Sequence, residues 1–364
     1  MPDLWLILLA FLVLLLVVRL LLVVVPRRRR SRKRDASHRV IRVIGVGGAG
    51  GNAIDTMVRA RLGGAELIAC NTDAQALRGA AAPWKIRFGD SVTQGLGSGG
   101  DPETGRQAAE ADVDALAAAV AGADLVFITA GLGGGTGSGA APIVARLARE
   151  AGALTIGVVT KPFRFEGPAR ARIAEEAERE LLGNVDALIA VPNDRVIGTI
   201  PGELPLVDAF RAADDVLHQA VRGIVDLVGT RGLVNIDFAD VRSVLGGGGH
   251  VLIGTGADSG GDRAAEAARA AISSPLIEHA IDGARSILVS IVASSSLRMA
   301  EAVRVAEIVR ASADPDADLV FGATIDDERL DELAVLVLAA KLEPGREPVP
   351  AVSPVRRRVV ARAD

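Results

Sequence analysis

The chain has 364 residues, 49% of them hydrophobic and 24% charged, which is typical of a globular protein and excludes a largely disordered one. Tyrosine is absent and aromatic residues make up 3%, so a nucleic-acid surface built from stacked rings is not expected. Cys70 is the single cysteine and the four histidines lack metal-ligand spacing, which excludes a disulfide framework and argues against a protein metal site. Residues 1–35 hold eight basic and two acidic residues, so the net charge of −4 leaves −10 for residues 36–364. This acidic body is unsuited to DNA, and we expect no nucleic-acid partner.

The first predicted element is the apolar segment Leu4–Val25, which is interrupted only by Arg19. A helix of this length spans about 33 Å, enough to cross a bilayer core of about 30 Å. The basic run of residues 27–34 follows it, which predicts an N-terminus outside and a body in the cytoplasm. We therefore predict a single-pass transmembrane anchor at residues 1–26. A cleaved signal peptide would carry its positive charge first, and a buried core helix would not be apolar on every face beside such a charge run.

A basic juxtamembrane linker, residues 27–38, joins the anchor to the body and is suited to contact anionic lipid headgroups. Residues 39–46 then predict a strand, and "GVGGAGGN" (45–52) leads from it into a helix. Its glycines satisfy the pattern G-x-G-x-x-G, in which backbone N–H groups at a helix N-terminus bind phosphate. The pattern also fits a dinucleotide site, with Glu66 or Asp73 as the ribose acid.

A second glycine segment distinguishes these alternatives. The apolar run 123–130 predicts a buried strand, "GLGGGTGSG" (131–139) follows, and residues 140–151 predict a helix. The glycines, with Thr136 and Ser138 as hydroxyl donors, predict a second anion cradle at a second helix N-terminus. A flexible linker would not be flanked so closely by a strand and a helix. A dinucleotide-dependent oxidoreductase has no need of this second cradle.

Several motifs together resemble the FtsZ branch of the tubulin superfamily, from about Arg39 to Ala340. They are "GVGGAGGNA", "NTDAQAL", "GLGSGGDPETG", "ITAGLGGGTGSGAAP", "GVVTKPFRFEG", "PNDR", "DAFRAADDVL", "GLVNIDFADV" and "AISSPL". The resemblance implies an α/β fold, with a Rossmann-type GTP-binding domain at 39–205, a long central helix at 206–234 and a smaller α/β domain at 235–340. It also implies GTP/GDP with Mg²⁺ as ligands, and head-to-tail homopolymers that hydrolyse GTP at the subunit interface.

The resemblance assigns a set of nucleotide-binding residues. They are Gly48, Ala49, Gly50, Gly51 and Asn52 in the first loop, Gly135, Thr136 and Gly137 in the phosphate loop, Glu166 and Arg170 on the ribose side, and Asp214 and Phe210 at guanine.

Asp214 has support from the sequence pattern as well. It occupies one position of a helical stripe that is otherwise apolar: Val207, Phe210, Leu217, Val221, Ile224 and Val228. A carboxylate on a core-facing stripe is costly unless it is paired, so we expect it to face a ligand. A partly exposed aspartate near the helix start is the alternative.

A short polar segment supplies the candidate catalytic residues Asn235, Asp237 and Asp240. On its own it would fit an Asx-type turn, because no histidine or lysine lies nearby to serve as a base. The resemblance implies instead that this loop enters the nucleotide site of the next subunit, where the acids orient the attacking water. We therefore expect an active GTPase whose site is completed by polymerisation.

Beyond this loop, four apolar runs predict strands and two amphipathic segments predict helices. The strands are at 250–256, 286–293, 317–325 and 333–340, and the helices at 263–272 and 300–311. Residues 245–256 depart from the family pattern near the expected subunit interface, and residues 292–309 lack the glycine-rich turn and asparagine-bearing helix of typical members. The tail, 341–364, is proline-rich, is expected to be disordered, and lacks the family's terminal apolar peptide.

These features favour a self-anchored, GTP-hydrolysing filament protein of bacterial cell division, assembling on the cytoplasmic membrane with other division proteins as possible partners. The alternative is a divergent membrane-bound paralogue that binds GTP and co-assembles with, or regulates, a main division filament.

Overall fold

The computed structural model describes residues 39–198, 205–229, 232–274, 281 and 283–342. The predicted anchor and basic linker lie outside the described residues, and a compact unit begins at Arg39. Within the described part of the chain, no helix is long and apolar enough to cross a membrane. The anchor at residues 1–26 therefore stays a prediction.

The first sheet has six parallel strands. They are β1 (Ile41–Val46), β2 (Glu66–Asn71), β3 (Trp84–Arg87), β4 (Leu125–Gly131), β5 (Leu154–Lys161) and β6 (Ala187–Pro192). Their order is β3-β2-β1-β4-β5-β6, so the chain moves outward in one direction from β1 and in the other from β4. In such a sheet, ligands bind outside the carboxyl ends of the strands where the order reverses, here between β1 and β4.

Helices pack on both faces of this sheet. They are α1 (Gly47–Arg59), α2 (Ala74–Gly79), α3 (Asp90–Thr93), α4 (Pro102–Ala111), α5 (Val113–Val120), α6 (Gly135–Glu150), α7 (Pro168–Asn184), α8 (Asn193–Gly198), α9 (Leu206–Gly229) and α10 (Phe238–Leu245). One face forms a core with α4 to α7, and the other packs on α1, α9 and α10. The second core also includes Leu336 and Leu338, which continue it into the second sheet.

The second sheet is mixed and holds β7 (Leu252–Ser259), β8 (Ala284–Ala293), β9 (Asp318–Ile325) and β10 (Glu332–Leu342), in the order β7-β10-β8-β9. Helices α11 (Arg263–Ile272) and α12 (Met299–Ala311) cover one face of it. All four strands and both helices predicted for this region are confirmed, with bounds within three residues. Strand β10 ends at Leu342, two residues inside the predicted tail, and the residues after it lie outside the description.

Two helices begin earlier than the sequence predicts, because the glycine segments form their first turns. Helix α1 starts at Gly47 and α6 at Gly135. Close backbone packing overrides the low helix propensity of glycine here: a Cβ on Gly139 would lie 2.0 Å from the Pro102 carbonyl oxygen. The glycines thus let α6 lie directly against α4.

The central helix is shorter than predicted and differs at its start. Helix α9 ends at Gly229, not at residue 234. Val207 and Phe210 on the predicted buried stripe are 59% and 42% exposed, whereas Leu217, Val221 and Ile224 are fully buried. The apolar stripe of α9 is therefore buried only in the later turns of the helix, where it packs in a core that includes residues of both sheets.

Two glycines in helices give a matched test of this packing. Gly139→Ala is expected to lower the free energy of unfolding by about 1–3 kcal/mol, since the new methyl group meets backbone that cannot yield. Gly183→Ala in α7 meets no atom within 4 Å and is expected to raise stability by about 0.5–1 kcal/mol. Urea unfolding of both variants measures the difference, and equal effects would contradict the close α4–α6 contact.

Candidate nucleotide site

A cavity of about 560 Å³ opens at the carboxyl edge of the first sheet. Its walls come from the segments that follow β1, β2, β4, β5 and β6, and from the start of α9. Parallel strands bring these segments to one edge although they are far apart in sequence. The cavity thus lies where the strand order reverses.

Two helix N-termini form one end of the cavity. The first turns of α1 and α6 contact each other so closely that a Cβ on Gly47 would lie 2.9 Å from the backbone nitrogen of Gly137. Neither first turn contains an acidic residue. The unpaired N–H groups and the positive ends of both helix dipoles therefore favour an anion here, as predicted from the two glycine segments.

Hydroxyl groups hold these loops in place. The Thr136 Oγ1 lies 2.8 Å from Thr72 Oγ1 and 3.0 Å from Ser98 Oγ. The Ser138 Oγ accepts a hydrogen bond from the Gly133 backbone nitrogen at 2.9 Å. Both hydroxyl oxygens therefore make contacts within the protein that help to fix the shape of the cradle, and the Ser138 O–H is not used as a donor in its contact.

A third glycine segment, residues 95–100, also reaches the cavity and was not among the predicted site residues. Leu96 to Gly100 line the cavity. Gly95, Gly97, Gly99 and Gly100 have φ between 61° and 83°, a left-handed conformation that favours glycine. The high glycine content of residues 95–100 was the feature of the sequence that could have identified them as part of the site.

Asp214 lies on α9 at the cavity wall. Burial is the main factor that raises its pKa, Asp215 and Asp55 also raise it, and Arg59 lowers it, so that the pKa is about 7. A half-buried carboxyl group with a strongly shifted pKa in a cavity is typical of a functional residue.

Asn193 is a second polar group in the same wall, and it was missed in the sequence. Its side chain is 7% exposed, and its Oδ1 has no hydrogen-bond partner among the described residues. Asn193 directly follows β6. A polar residue just after a predicted parallel strand could therefore have been predicted to lie at the carboxyl edge of the sheet. Phe210 lines the cavity too and packs edge-on against Phe163 at 5.2 Å.

Glu166 and Arg170 form an ion pair in the wall, with Arg170 Nη1 donating to Glu166 Oε2 at 2.5 Å. The other oxygen, Oε1, accepts from the Phe163 backbone nitrogen at 2.9 Å. Glu166 is thereby held in one orientation with its side chain 13% exposed.

Ten of the twelve predicted nucleotide-binding residues line the cavity: Gly48, Ala49, Asn52, Gly135, Thr136, Gly137, Glu166, Arg170, Phe210 and Asp214. Gly50 and Gly51 do not. Gly50 faces the sheet instead, because a Cβ there would lie 2.5 Å from the Thr129 carbonyl oxygen. Its physical role in the structure is close helix–strand packing.

The three predicted catalytic residues do not line the cavity of their own chain. Asp237 caps α10 by accepting from the Ala239 nitrogen at 3.1 Å, and Asp240 Oδ2 accepts from the Asp237 nitrogen at 3.2 Å. Asn235 Oδ1 accepts from the Gly232 nitrogen at 2.7 Å. All three side chains are exposed. They form a rigid, polar, outward-facing turn, so the Asx-type alternative describes the local geometry.

A second cleft, of about 670 Å³, lies between α9 and the second sheet, with His218 in its wall. Burial is the main factor that lowers the pKa of His218. Neither of the two helix N-termini that make the cradle reaches this cleft, so the cavity at the carboxyl edge is the candidate nucleotide site.

The parallel sheet, the paired helix N-termini and the half-buried carboxyl group of Asp214 define a nucleotide-binding protein. Comparisons agree: residues 40–201 match the tubulin/FtsZ family GTPase domain, and residues 249–343 match the FtsZ family C-terminal domain. The chain belongs to the tubulin/FtsZ family of GTPases, whose members bind GTP and GDP.

Solved structures show the same fold. An FtsZ dimer from M. jannaschii is 42% identical with a TM-score of 0.78, over 83% of this chain and 88% of that one. CetZ1 from Haloferax volcanii, a GDP-bound monomer, is 23% identical with a TM-score of 0.74, over 84% and 95%. CetZ2 from the same organism, described as a GTPγS-bound protofilament, is 23% identical with a TM-score of 0.70, over 84% and 94%.

The shifted carboxyl group predicts a pH dependence of nucleotide affinity. If Asp214 accepts hydrogen bonds from guanine, the bound form requires the carboxylate, whereas the free protein holds a proton below a pKa of about 7. GDP affinity is then expected to fall below pH 7, by up to about tenfold per pH unit, and to level off above it. Calorimetry between pH 5.5 and 8.5 measures this.

Asp214→Asn is the matched control, because it retains the size of the side chain and removes its titration. We expect weaker GDP binding that keeps only the pH dependence of the phosphate groups. Equal pH profiles for the two proteins would contradict a role for Asp214 in binding.

Proposed function

We propose that this chain is a GTP-hydrolysing protein that assembles head to tail into filaments of the cell division type. The observation that carries the proposal is the separation, within one chain, of the nucleotide cavity from the exposed acids Asp237 and Asp240. Three other carboxyl groups do line the cavity, but their partners or locations differ from those of Asp237 and Asp240. Asp73 caps α2, Glu166 pairs with Arg170, and Asp214 lies on α9.

The cradle at α1 and α6 suits the triphosphate of MgGTP. Backbone N–H groups of the two first turns would donate to phosphate oxygens, and the glycines leave room for their approach. Mg²⁺ enters with the substrate, where it neutralises charge on the β- and γ-phosphate oxygens. The hydroxyl contacts of Thr136 hold the segment 95–100 against the phosphate loop, which places that segment beside the same end of the cavity.

The opposite wall suits guanosine. The Asp214 carboxylate would accept from the guanine N1–H and amino groups, and the unpaired amide oxygen of Asn193 offers one further acceptor. Phe210 would pack on the base, and the Glu166–Arg170 pair would contact the ribose side. Buried acceptors of this kind reject bases that lack matching donors, because the acceptors would be left unpaired.

Hydrolysis would then occur between subunits. The turn that carries Asn235, Asp237 and Asp240 enters the nucleotide cavity of the next subunit, where the two acids orient the attacking water. Phosphoryl transfer of this class depends mainly on positioning and electrostatics, which a turn already fixed by its own capping bonds is able to supply. The related M. jannaschii structure is titled a dimer and that of CetZ2 a protofilament, which supports head-to-tail assembly here.

We further propose that residues 1–26 anchor the filament in the cytoplasmic membrane. The support is the sequence: an apolar run of sufficient length, interrupted only by Arg19 and followed by a basic linker. Each basic residue at the surface contributes about 1 kcal/mol of attraction to anionic lipid, which opposes repulsion of the acidic body.

GTP turnover against protein concentration tests the shared site. The fragment 36–364, which contains the whole compact unit that begins at Arg39, is expected to hydrolyse GTP only above a threshold concentration. Turnover proportional to protein at all concentrations would contradict the shared site, and no turnover would favour the paralogue alternative. Asp240→Ala is expected to keep GDP affinity and to lower turnover about a hundredfold or more, since it misplaces water without touching the cavity.

A fluorescent fusion tests the anchor. In cells that lack other members of the family, the full chain is expected at the membrane and a fusion without residues 1–26 in the cytoplasm. Membrane localisation of the truncated fusion would contradict the anchor, and a variant with residues 27–34 neutralised separates the role of the basic linker.

A further inference from the structure

The ring of Phe238 contacts two guanidinium groups. Phe238 is the first residue of α10 and is 9% exposed. The Cζ of Arg39 lies 4.4 Å from the ring centroid, and the Cζ of Arg242 lies 5.6 Å from it. Both distances are within the range of cation–π attraction. Arg242 belongs to α10 itself, whereas Arg39 is the first described residue and lies about 200 residues earlier in the chain.

Phe238 lies between the two acids of the proposed catalytic turn. Asp237 precedes it as the N-cap, and Asp240 follows two residues later and bonds back to the Asp237 nitrogen. The ring and both carboxylates therefore belong to one helical turn. A contact that fixes the ring also fixes the orientation of that turn, while Val241 and Val244 hold the inner face of the helix in the core.

The backbone beside Arg39 is anchored independently of this contact. The Val40 nitrogen donates to Asp124 Oδ2 at 2.9 Å, and the Val40 carbonyl oxygen accepts from the Asp124 nitrogen at 2.9 Å. The Arg39 side chain thus extends from a fixed point at the start of β1 to the start of α10. Residue 39 also precedes the region that matches the family, which begins at residue 40.

We propose that Arg39 is a positioning residue for GTP hydrolysis, acting through Phe238 on the turn that carries Asp237 and Asp240. The inference rests on the proposed function, because the turn acts on the nucleotide of the neighbouring subunit. Arg39 is not among the residues that line the cavity of its own chain, so we expect it to affect turnover and to leave nucleotide affinity unchanged. Arg39 is also the first residue of the compact unit, directly after the N-terminal segment of residues 1–38. The same residue that follows this segment therefore contacts Phe238 in the proposed catalytic turn.

The first test uses single variants of the full chain in detergent. A cation–π contact at an exposed site corresponds to roughly a two- to fivefold change in rate. Arg39→Ala is expected to lower kcat by this factor with unchanged GDP affinity, Arg39→Lys to restore most of it, and Arg39→Gln to restore none. Arg146→Ala, an exposed arginine of α6 paired with Glu150, is the control and is expected to match the wild type.

Mixing experiments separate a positioning role from a general structural one. Asp214→Ala is expected to lose nucleotide binding but to keep an intact catalytic turn. Added in excess to Arg39→Ala, it supplies that turn to a competent nucleotide site, and turnover per Arg39→Ala subunit is expected to rise towards the wild-type value. The double variant Asp214→Ala/Asp240→Ala is expected to give no rise. A defect that mixing does not relieve would lie in the nucleotide site and would overturn the proposal.

A double-mutant cycle tests whether the lower turnover of Arg39→Ala results from loss of the contact with Phe238 or from another effect of the substitution. Phe238→Leu keeps an apolar side chain and removes the ring, so Arg39→Ala is expected to change nothing further in that background. An additive loss would overturn the contact as the cause. Full activity of Arg39→Ala alone would overturn this inference and leave the proposed function intact, whereas turnover of the wild type without a threshold would overturn both.

Discussion

The close approach of backbone segments at the carboxyl edge of the first sheet is the constraint on which the site depends. A Cβ on Gly105 would lie 2.5 Å from the Gly135 carbonyl oxygen, and one on Gly137 would lie 2.6 Å from that of Gly131. Glycine here costs conformational entropy on folding and weakens the helices locally. In return, two helix N-termini meet with no side chain between them and a ligand. The hydrophobic cores on the two faces of the sheet stabilise this close approach of the glycine segments, which the glycines alone would not favour.

The two ends of the cavity use opposite electrostatics. The end formed by α1 and α6 has backbone dipoles and no acidic residue in either first helical turn, whereas the other wall holds the half-buried carboxyl group of Asp214 and the buried amide of Asn193. Among the described residues, Asn193 Oδ1 at this wall has no hydrogen-bond partner. A nucleotide is an anion with hydrogen-bond donors at its far end, and the two ends of the cavity have the matching preferences.

The resemblance to FtsZ predicted the architecture of the first domain, and the periods of buried strands and amphipathic helices predicted β1, β4 and the elements of the second domain. The sequence pattern placed the helix starts too late, since glycine propensity says nothing of the neighbouring backbone that excludes a Cβ at Gly139. Phe210 fitted an apolar stripe yet is exposed at the cavity, because the first turns of α9 extend beyond the core. Asn193 and the segment 95–100 were missed as site residues because only the sheet brings them to the same edge. The contact of Arg39 with Phe238 joins residues about 200 positions apart in sequence, and no local pattern contains it.

The position of β1 has a mechanical consequence. The chain enters the body directly through this strand, which pairs along its length with β2 on one side and β4 on the other. A pull on the N-terminus along the strand would load two parallel ladders in shear, so that many hydrogen bonds resist together, whereas a strand at the sheet edge has only one such ladder. A force applied at the N-terminus would therefore pass into the middle of the sheet, through a strand that is paired on both sides.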